Sequence, residues 1–217
     1  MSRIVAILTG DLIGSTSARP GIVDGTMALI QHCATQIEGP TDFTRFRGDG
    51  WQMRLVQPGD CLWACLLILA RLRAQEGALG TRIAVGIGEE YPTDASDLST
   101  AMGPAFTASG RALEQMKPDR LLTLDGPKGS IDAFRKLAFV IAGDLAGRWS
   151  VSQAEAMALK LDVDSPAGDR ESNDRIARQL GITRQAVDAR LKAADYPILN
   201  DAIEAFLQAY NGEAKHA

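Results

Sequence analysis

The sequence predicts an α+β protein, a mostly antiparallel sheet carrying helices, followed by a small all-α unit built around a helix-turn-helix. Three observations predict it. Apolar runs and helical periods alternate through the first 126 residues in the order β-α-β-β-α-β-α-β; a glycine-flanked turn within that order marks a hairpin; and strand-like alternation stops after Gly126-Pro127.

Residues 3–11, RIVAILTGD, are a continuous apolar run closed by Gly-Asp, which suits a central strand buried on both faces. The segment that follows places Ile30, Cys33, Ala34 and Ile37 at helical spacing and ends at Gly39-Pro40, predicting a helix that starts at Ser15 or Thr16. In TDFTRFRGDGWQMRLV, residues 41–56, the sets Phe43, Arg45, Arg47 and Thr44, Phe46 alternate, and Gly48-Asp49-Gly50 supplies a turn. Trp51, Met53 and Leu55 then resume a period of two, completing a β-hairpin. The apolar run from about Asp60 to Gln75 is a buried helix. TRIAVGIGE (81–89) is a second buried strand, GPAFTASGRALEQMK (103–117) a helix opened by Gly-Pro, and DRLLTL (119–124) a last strand. The order begins with the split β-α-β pattern of ferredoxin-like sheets, in which helices cover one face.

Beyond Gly126 the chain reads as helices. SIDAFRKLAFVIAGDLAGRW (130–149) carries an apolar stripe through Phe134, Leu137, Ala138, Ile141 and Leu145 and reads as a connector. SVSQAEAMALKLD (150–162) opens with serine caps, VDSPAGDRES (163–172) is a polar loop, and SNDRIARQLGITRQAVDARLKAADY (172–196) is a pair of short helices around Gly181. The expected organisation is a first domain over 1–126, a connector over 127–149 and a helical domain over 150–217.

Composition bounds the function. The chain has 217 residues, 46% hydrophobic and 23% charged, as suits a soluble globular protein with one large or two small domains. A net charge of −4 excludes a generally basic nucleic-acid coat but leaves a local basic face open. Asp11 interrupts the N-terminal apolar run too early for a secretory segment, so a cytoplasmic location is expected. The longest apolar run, Cys61 to Leu72, falls short of the roughly 20 residues that span a bilayer. Cys33, Cys61 and Cys65 read as small core residues, with metal or redox roles as the minor alternative.

Two constellations carry chemistry. Asp11 ends the first strand and Asp49 sits at the hairpin tip, and a split β-α-β sheet lays that strand beside the hairpin. Two carboxylates at one sheet edge suit a hard cation, Mg²⁺ or Mn²⁺. After them Gly14 permits close backbone approach, and a helix starting at Ser15 or Thr16 would face an anion such as a phosphate. Gly-Asp and Asp-Gly are also ordinary turn formers, which is the plainer explanation of either residue alone. In the second constellation Ala177 is the small crossing residue and Gly181 the turn. Ile176, Leu180, Ile182, Val187 and Leu191 lock the two helices, and Thr183 caps the second. Thr183, Arg184, Gln185, Asp188, Ala189 and Lys192 then point outward, with Arg184 and Gln185 suited to base edges and Arg175, Arg178 and Arg190 to phosphates. The alternative is a helical hairpin for packing or dimerisation, since Asp162, Asp164, Asp169, Glu171 and Asp174 upstream would repel DNA.

The blocks GDLIGST, RFRGDGWQ, TRIAVGIGE and GPAFTASGRALE stand in the order and approximate spacing of the sequence blocks of class III nucleotidyl cyclases, which the first domain resembles. The chain as a whole is similar to the SatD family of small bacterial proteins, which pair "GD" and "GPAF...R" blocks with a C-terminal helix-turn-helix. Residues 150–196 resemble sigma-factor region 4. The resemblance implies a cyclase-like palm domain in which Asp11 and Asp49 bind the metal with the backbone around Leu12 and Ile13, and Arg111 stabilises charge developing on a phosphate. Thr107 stands where the family has an asparagine, Arg45 where it has a purine-specifying lysine, and Thr100, with Asp97 nearby, where it has that lysine's partner aspartate. Diguanylate cyclase palms match less well, because RGDGW lacks their glutamate.

Two functions follow. One is a nucleotide- and metal-binding domain that sets the geometry of a DNA-binding helix-turn-helix, a nucleotide-responsive transcription regulator. The other is a nucleotidyl cyclase-type enzyme that forms a cyclic nucleotide or related phosphodiester from a nucleoside triphosphate. An inert scaffold with a protein-binding helical tail is the plainer third. The first two predict a homodimer, and none requires a membrane.

Overall fold

The computed structural model describes residues 3–37, 41–46, 48–91, 97–162 and 173–213. Five strands, β1 (Arg3–Leu12), β2 (Thr41–Phe46), β3 (Gly50–Leu55), β4 (Thr81–Glu90) and β5 (Leu122–Asp125), form one sheet in the order β2-β3-β1-β4-β5. Every pairing is antiparallel except β4–β5. The helices are α1 (Pro20–Thr35), α2 (Cys61–Ala74), α3 (Pro104–Glu114), α4 (Ala133–Gly147), α5 (Val151–Lys160), α6 (Asn173–Leu180), α7 (Arg184–Ala193) and α8 (Tyr196–Glu213). The alternation through β5 is the predicted one. The predicted polar loop over 163–172, with Asp164, Asp169 and Glu171, lies outside the described residues, as does Arg47.

Pairing register sorts the side chains onto two faces. Ala6, Leu8, Trp51, Met53, Leu55, Ile83 and Val85 point into the large core with α1 and α2, while Val5 and Ile7 meet Ala105 of α3 and Ala84 meets its Ala112. Helices therefore cover both faces, not the single face expected of a ferredoxin-like sheet. The cause is in β4. A Cβ at Gly86 would lie 2.1 Å from the Ala105 carbonyl, and one at Gly88 3.2 Å from the Ala105 nitrogen, so two absent side chains let α3 lie directly on the strand.

From Cys61 to Ala70 helix α2 is apolar all round because that stretch is buried on nearly every side. One side meets the sheet-side core; α5 packs against it, with α4 and α8 also in contact. Polar bonds fasten the same join. Trp63 donates its Nε1 to the Leu161 carbonyl at 3.0 Å, and Arg71 bonds Asp162 at 2.6 Å. Cys33, Cys61 and Cys65 lie in this core, and burial pushes all three thiols up, Cys33 to about 11.

Three local expectations change. A 3₁₀ turn at Ser15–Ser17 follows the left-handed Gly14, and α1 begins only at Pro20, so Ser15 and Thr16 open no α-helix. In α4 the inward residues are Phe139, Ala142, Gly143 and Ala146, while Phe134, Leu137 and Ile141 of the predicted stripe are exposed. Small residues win that contact because a Cβ at Gly143 would already stand 2.9 Å from the Leu122 nitrogen. Finally, α8 extends the helical part beyond the predicted pair.

Around Gly181 the predicted packing forms. Gly181 has φ +65°, Ile182 donates to the Ala177 carbonyl at 3.0 Å, and the Thr183 hydroxyl accepts from the Ala186 N–H. Ile176, Ala177, Val187 and Leu191 are buried, with Leu180 and Ile182 half-buried.

Candidate functional site

Strand β1 ends at a corner where three segments meet. Asp11 stands opposite Gly50 of β3 on one side and opposite Arg82 of β4 on the other. The Leu12 N–H donates to the Asp49 carbonyl at 3.2 Å, and the Ile13 N–H to the Gly80 carbonyl at 2.8 Å. The backbones bearing the two aspartates are thus tied together, as the hairpin pattern predicts. Gly14, at φ +77°, turns the chain so that the Ser15 hydroxyl donates to Asp49 Oδ2 at 2.5 Å. Leu12 is buried, and Ile13 and Thr16 are exposed beside this turn.

Behind the corner lies a rigid support. The Trp51 indole lies against Gly10, where a Cβ would come within 2.4 Å of the ring, and its Nε1 donates to the Thr81 hydroxyl at 3.0 Å. That hydroxyl donates in turn to the Asp11 carbonyl at 2.7 Å. Glycine before Asp11 is therefore a packing requirement, and Trp51 positions the backbone of the aspartate.

The Asp11 carboxylate is paired. Arg82 donates Nε to Oδ1 at 3.0 Å and Nη2 to Oδ2 at 2.5 Å, a bidentate fork, and the Asp11 bond holds the Arg82 guanidinium above its ordinary pKa. In kind, the oxygens of Asp11 and Asp49 suit a divalent cation, which often takes one or two carboxylates and completes its shell with phosphates and water. In place, the guanidinium supplies the positive charge, and the described residues contain no group of three or more His, Cys, Asp or Glu around a common point. Arg82 is the residue that sequence reasoning missed. Its signal was present: an arginine at the start of the otherwise apolar run TRIAVGIGE, in a strand able to pair with the one ending in Asp11.

The other candidates lie elsewhere. Arg45 is on the α1 face of the sheet, opposite in sense to Asp11, bonded to Asp24 at 2.7 Å and to the Gly48 carbonyl. It does not reach the corner, because β2 register pairs it with Trp51 on the core side. Thr100 closes a 3₁₀ turn, its hydroxyl on the Asp97 carbonyl, while the Leu98 N–H bonds Thr44 on the Asp11 face. Asp97 caps that turn, and the Ser99 N–H holds its pKa down. Thr107 donates its hydroxyl to the Gly103 carbonyl within α3, and Arg111 bonds Asp125 at 2.8 Å. Asp125 pairs with Gly86, four residues along β4 from Arg82 and one strand further out than β4, which separates Arg111's partner from Asp11 by roughly 16 Å of sheet. Thr107 and Arg111 instead line a cavity of about 600 Å³ with Tyr91, Met102, Phe106 and Lys128.

On the helical pair, Arg175, Arg178, Arg184, Gln185 and Lys192 are exposed. Arg184 lies 3.5 Å from Asp174 and 3.9 Å from Asp188, both exposed. Arg190 is turned toward α5, bonding Glu155 at 3.1 Å and the Ser152 carbonyl, so it serves packing and not a phosphate. Among the described residues no helix is long and apolar enough to cross a membrane.

No family model and no curated protein sequence matches the chain. Solved structures similar to it include the guanylyl cyclase Cya2 at 18% identity and TM-score 0.43, over 57% of this chain and 75% of that one. A bacterial light-regulated adenylyl cyclase is similar at 19% identity and TM-score 0.45, over 57% and 76%. An adenylate/guanylate cyclase/hydrolase from Silicibacter pomeroyi is similar at 20% identity and TM-score 0.44, again over 57% and 76%.

Proposed function

We propose that the protein is a nucleotide-responsive DNA-binding regulator, in which the β1–β4 corner takes the phosphates of a nucleotide and the α6–α7 pair meets DNA. The observation that carries this reading is the buried helix α2, which contacts the sheet-side core and α5 together. A shift of the sheet on ligand binding is transmitted to α5, and α5 packs directly on α6 and α7. At the corner, Gly14 turns the chain so that the Ser15 hydroxyl reaches Asp49 and Thr16 is exposed, while Arg82 holds Asp11 from β4. A divalent cation, Mg²⁺ or Mn²⁺, would be held by Asp11 and Asp49 and would supply positive charge to the phosphates. On DNA, Arg184, Gln185 and Lys192 form the reading surface and Arg175 and Arg178 the phosphate contacts, with two copies of the chain on paired half-sites. The test is salt-dependent retention of the protein's own promoter DNA in a mobility-shift assay, with and without nucleotide. Arg184→Ala weakens it; retention unchanged by that substitution sinks the recognition-helix assignment.

The cavity beside Arg111 favours a second reading, a nucleotidyl cyclase-type enzyme. Its volume of about 600 Å³ suits a small molecule, and Thr107 and Arg111 line it with Lys128. Because one chain keeps Arg111 far from Asp11, that reading requires a homodimer in which one copy's cavity faces the other's corner. Incubation with each nucleoside triphosphate and Mn²⁺, followed by chromatography, decides it. Product formation that survives Asp49→Ala, or no product at all, eliminates the enzyme.

A further inference from the structure

We infer that Arg82 competes with a divalent cation for Asp11, so that the free protein refuses the metal and accepts it only together with a polyphosphate that draws the guanidinium away. This rests on the corner being the phosphate site proposed above. The observation behind it is occupancy of both carboxylate oxygens. Nε and Nη2 of Arg82 take Oδ1 and Oδ2 of Asp11 in a planar fork, and the two residues face each other directly across the β1–β4 pair. A metal ion at either oxygen meets that guanidinium at close range, where like charges repel. The second carboxylate is also engaged, Asp49 Oδ2 accepting from Ser15.

Arg82 has no alternative carboxylate among its described contacts, so leaving Asp11 strands its charge unless another anion is offered. A phosphate is such an anion, planar-fork recognition being common to carboxylate and phosphate oxygens. Cation and polyphosphate therefore enter as a set: the phosphate takes Arg82, and the freed carboxylate takes the cation. Neither is bound well alone. A protein built this way responds to the cation-loaded nucleotide and ignores swings in free divalent cation.

The competition is measured with the full chain by titrating Mn²⁺ and following loss of the free-ion electron paramagnetic resonance signal. Wild type takes up little Mn²⁺; Arg82→Gln binds about tenfold or more tightly, because the Asp11 carboxylate loses its counter-charge; and Asp11→Asn added to Arg82→Gln removes the gain. Arg82→Lys, which keeps the charge without the fork, falls between and guards against a folding defect, monitored by circular dichroism. Wild-type uptake equal to that of Arg82→Gln, or a gain that survives Asp11→Asn, overturns the competition. A thermal-shift arm with tripolyphosphate separates the two ideas. Mn²⁺ and tripolyphosphate together raise the wild-type melting temperature by more than the sum of each alone. No shift with the pair, alongside a Mn²⁺ gain in Arg82→Gln, overturns joint entry and the phosphate site while leaving Arg82 as the competitor.

Discussion

Arg73 of α2 donates its Nε to the Trp149 carbonyl at 2.9 Å, and the indole of that same Trp149 donates to the Ala194 carbonyl at 3.0 Å. Through one fully buried residue the helix beneath the sheet is joined to the end of α7. The indole half of the tie is a polar bond inside an apolar core, so it sets geometry as well as stability.

Trp149→Phe keeps most of the ring and removes the donor, leaving the Ala194 carbonyl without its partner. Stability falls by about 1–3 kcal/mol. Urea unfolding reads this as a lower midpoint at unchanged slope, while Trp63→Phe at the neighbouring join, whose donor is only half-buried, falls by less.

Gly86→Ala drives a Cβ into backbone of α3, at the Ala105 carbonyl and Ser109 nitrogen, and no side-chain motion relieves it. The cost is about 3 kcal/mol. Gly25→Ala, where a Cβ meets nothing within 4 Å on α1, serves as the stabilising control, gaining up to about 1 kcal/mol. Thermal melts of the pair separate packing from propensity.

Asp125 links stability to pH. Burial alone raises its pKa, but bonds from Lys136 at 2.7 Å and Arg111 at 2.8 Å outweigh that and hold it below the ordinary 3.8. A depressed folded value means the unfolded chain binds the proton first on acidification. The contribution is complete above the ordinary value and is lost as pH falls through the folded one. Wild type therefore melts higher than Asp125→Asn at pH 6, and the gap closes on titration below 3.8. A gap independent of pH refutes the assignment.

The two phenylalanines of α4 behave oppositely. Phe139 is fully buried and stacks edge-on against Phe206 at 5.2 Å, so Phe139→Ala costs about 3–5 kcal/mol. Phe134 is 84% exposed, and Phe134→Ser changes stability by no more than about 0.5 kcal/mol. Chemical denaturation of both variants distinguishes the inward line of α4 from the stripe that periodicity alone selects.

That last contrast shows where sequence periodicity stops. A helical period in 130–149 identifies α4 and selects the line through Phe134, Leu137 and Ile141, whereas the line that is buried runs through Phe139, Ala142 and Ala146. Ranking comes from the partner surface, since β5 approaches so closely at Leu122 that only the small-residue line fits. The same holds at the corner. Gly48-Asp49-Gly50 announces the turn and Gly10-Asp11 the end of a strand, and the two backbones do meet. Whether their side chains are free depends on which residue of β4 falls opposite Asp11.

By itself the sequence determined the elements and their order through β5, the burial of α2, the hairpin and the Gly181 turn. These rest on local physics: side-chain period, left-handed glycine, capping hydroxyls and proline at helix starts act within a few residues of one another. Only the tertiary structure decided that α3 crosses to the second face, that Arg45 turns toward α1, that Arg190 serves α5, and that Arg82 closes on Asp11. Each of those depends on pairing register or close approach between segments tens of residues apart, and a shift of one residue would move every side chain of a strand to the other face.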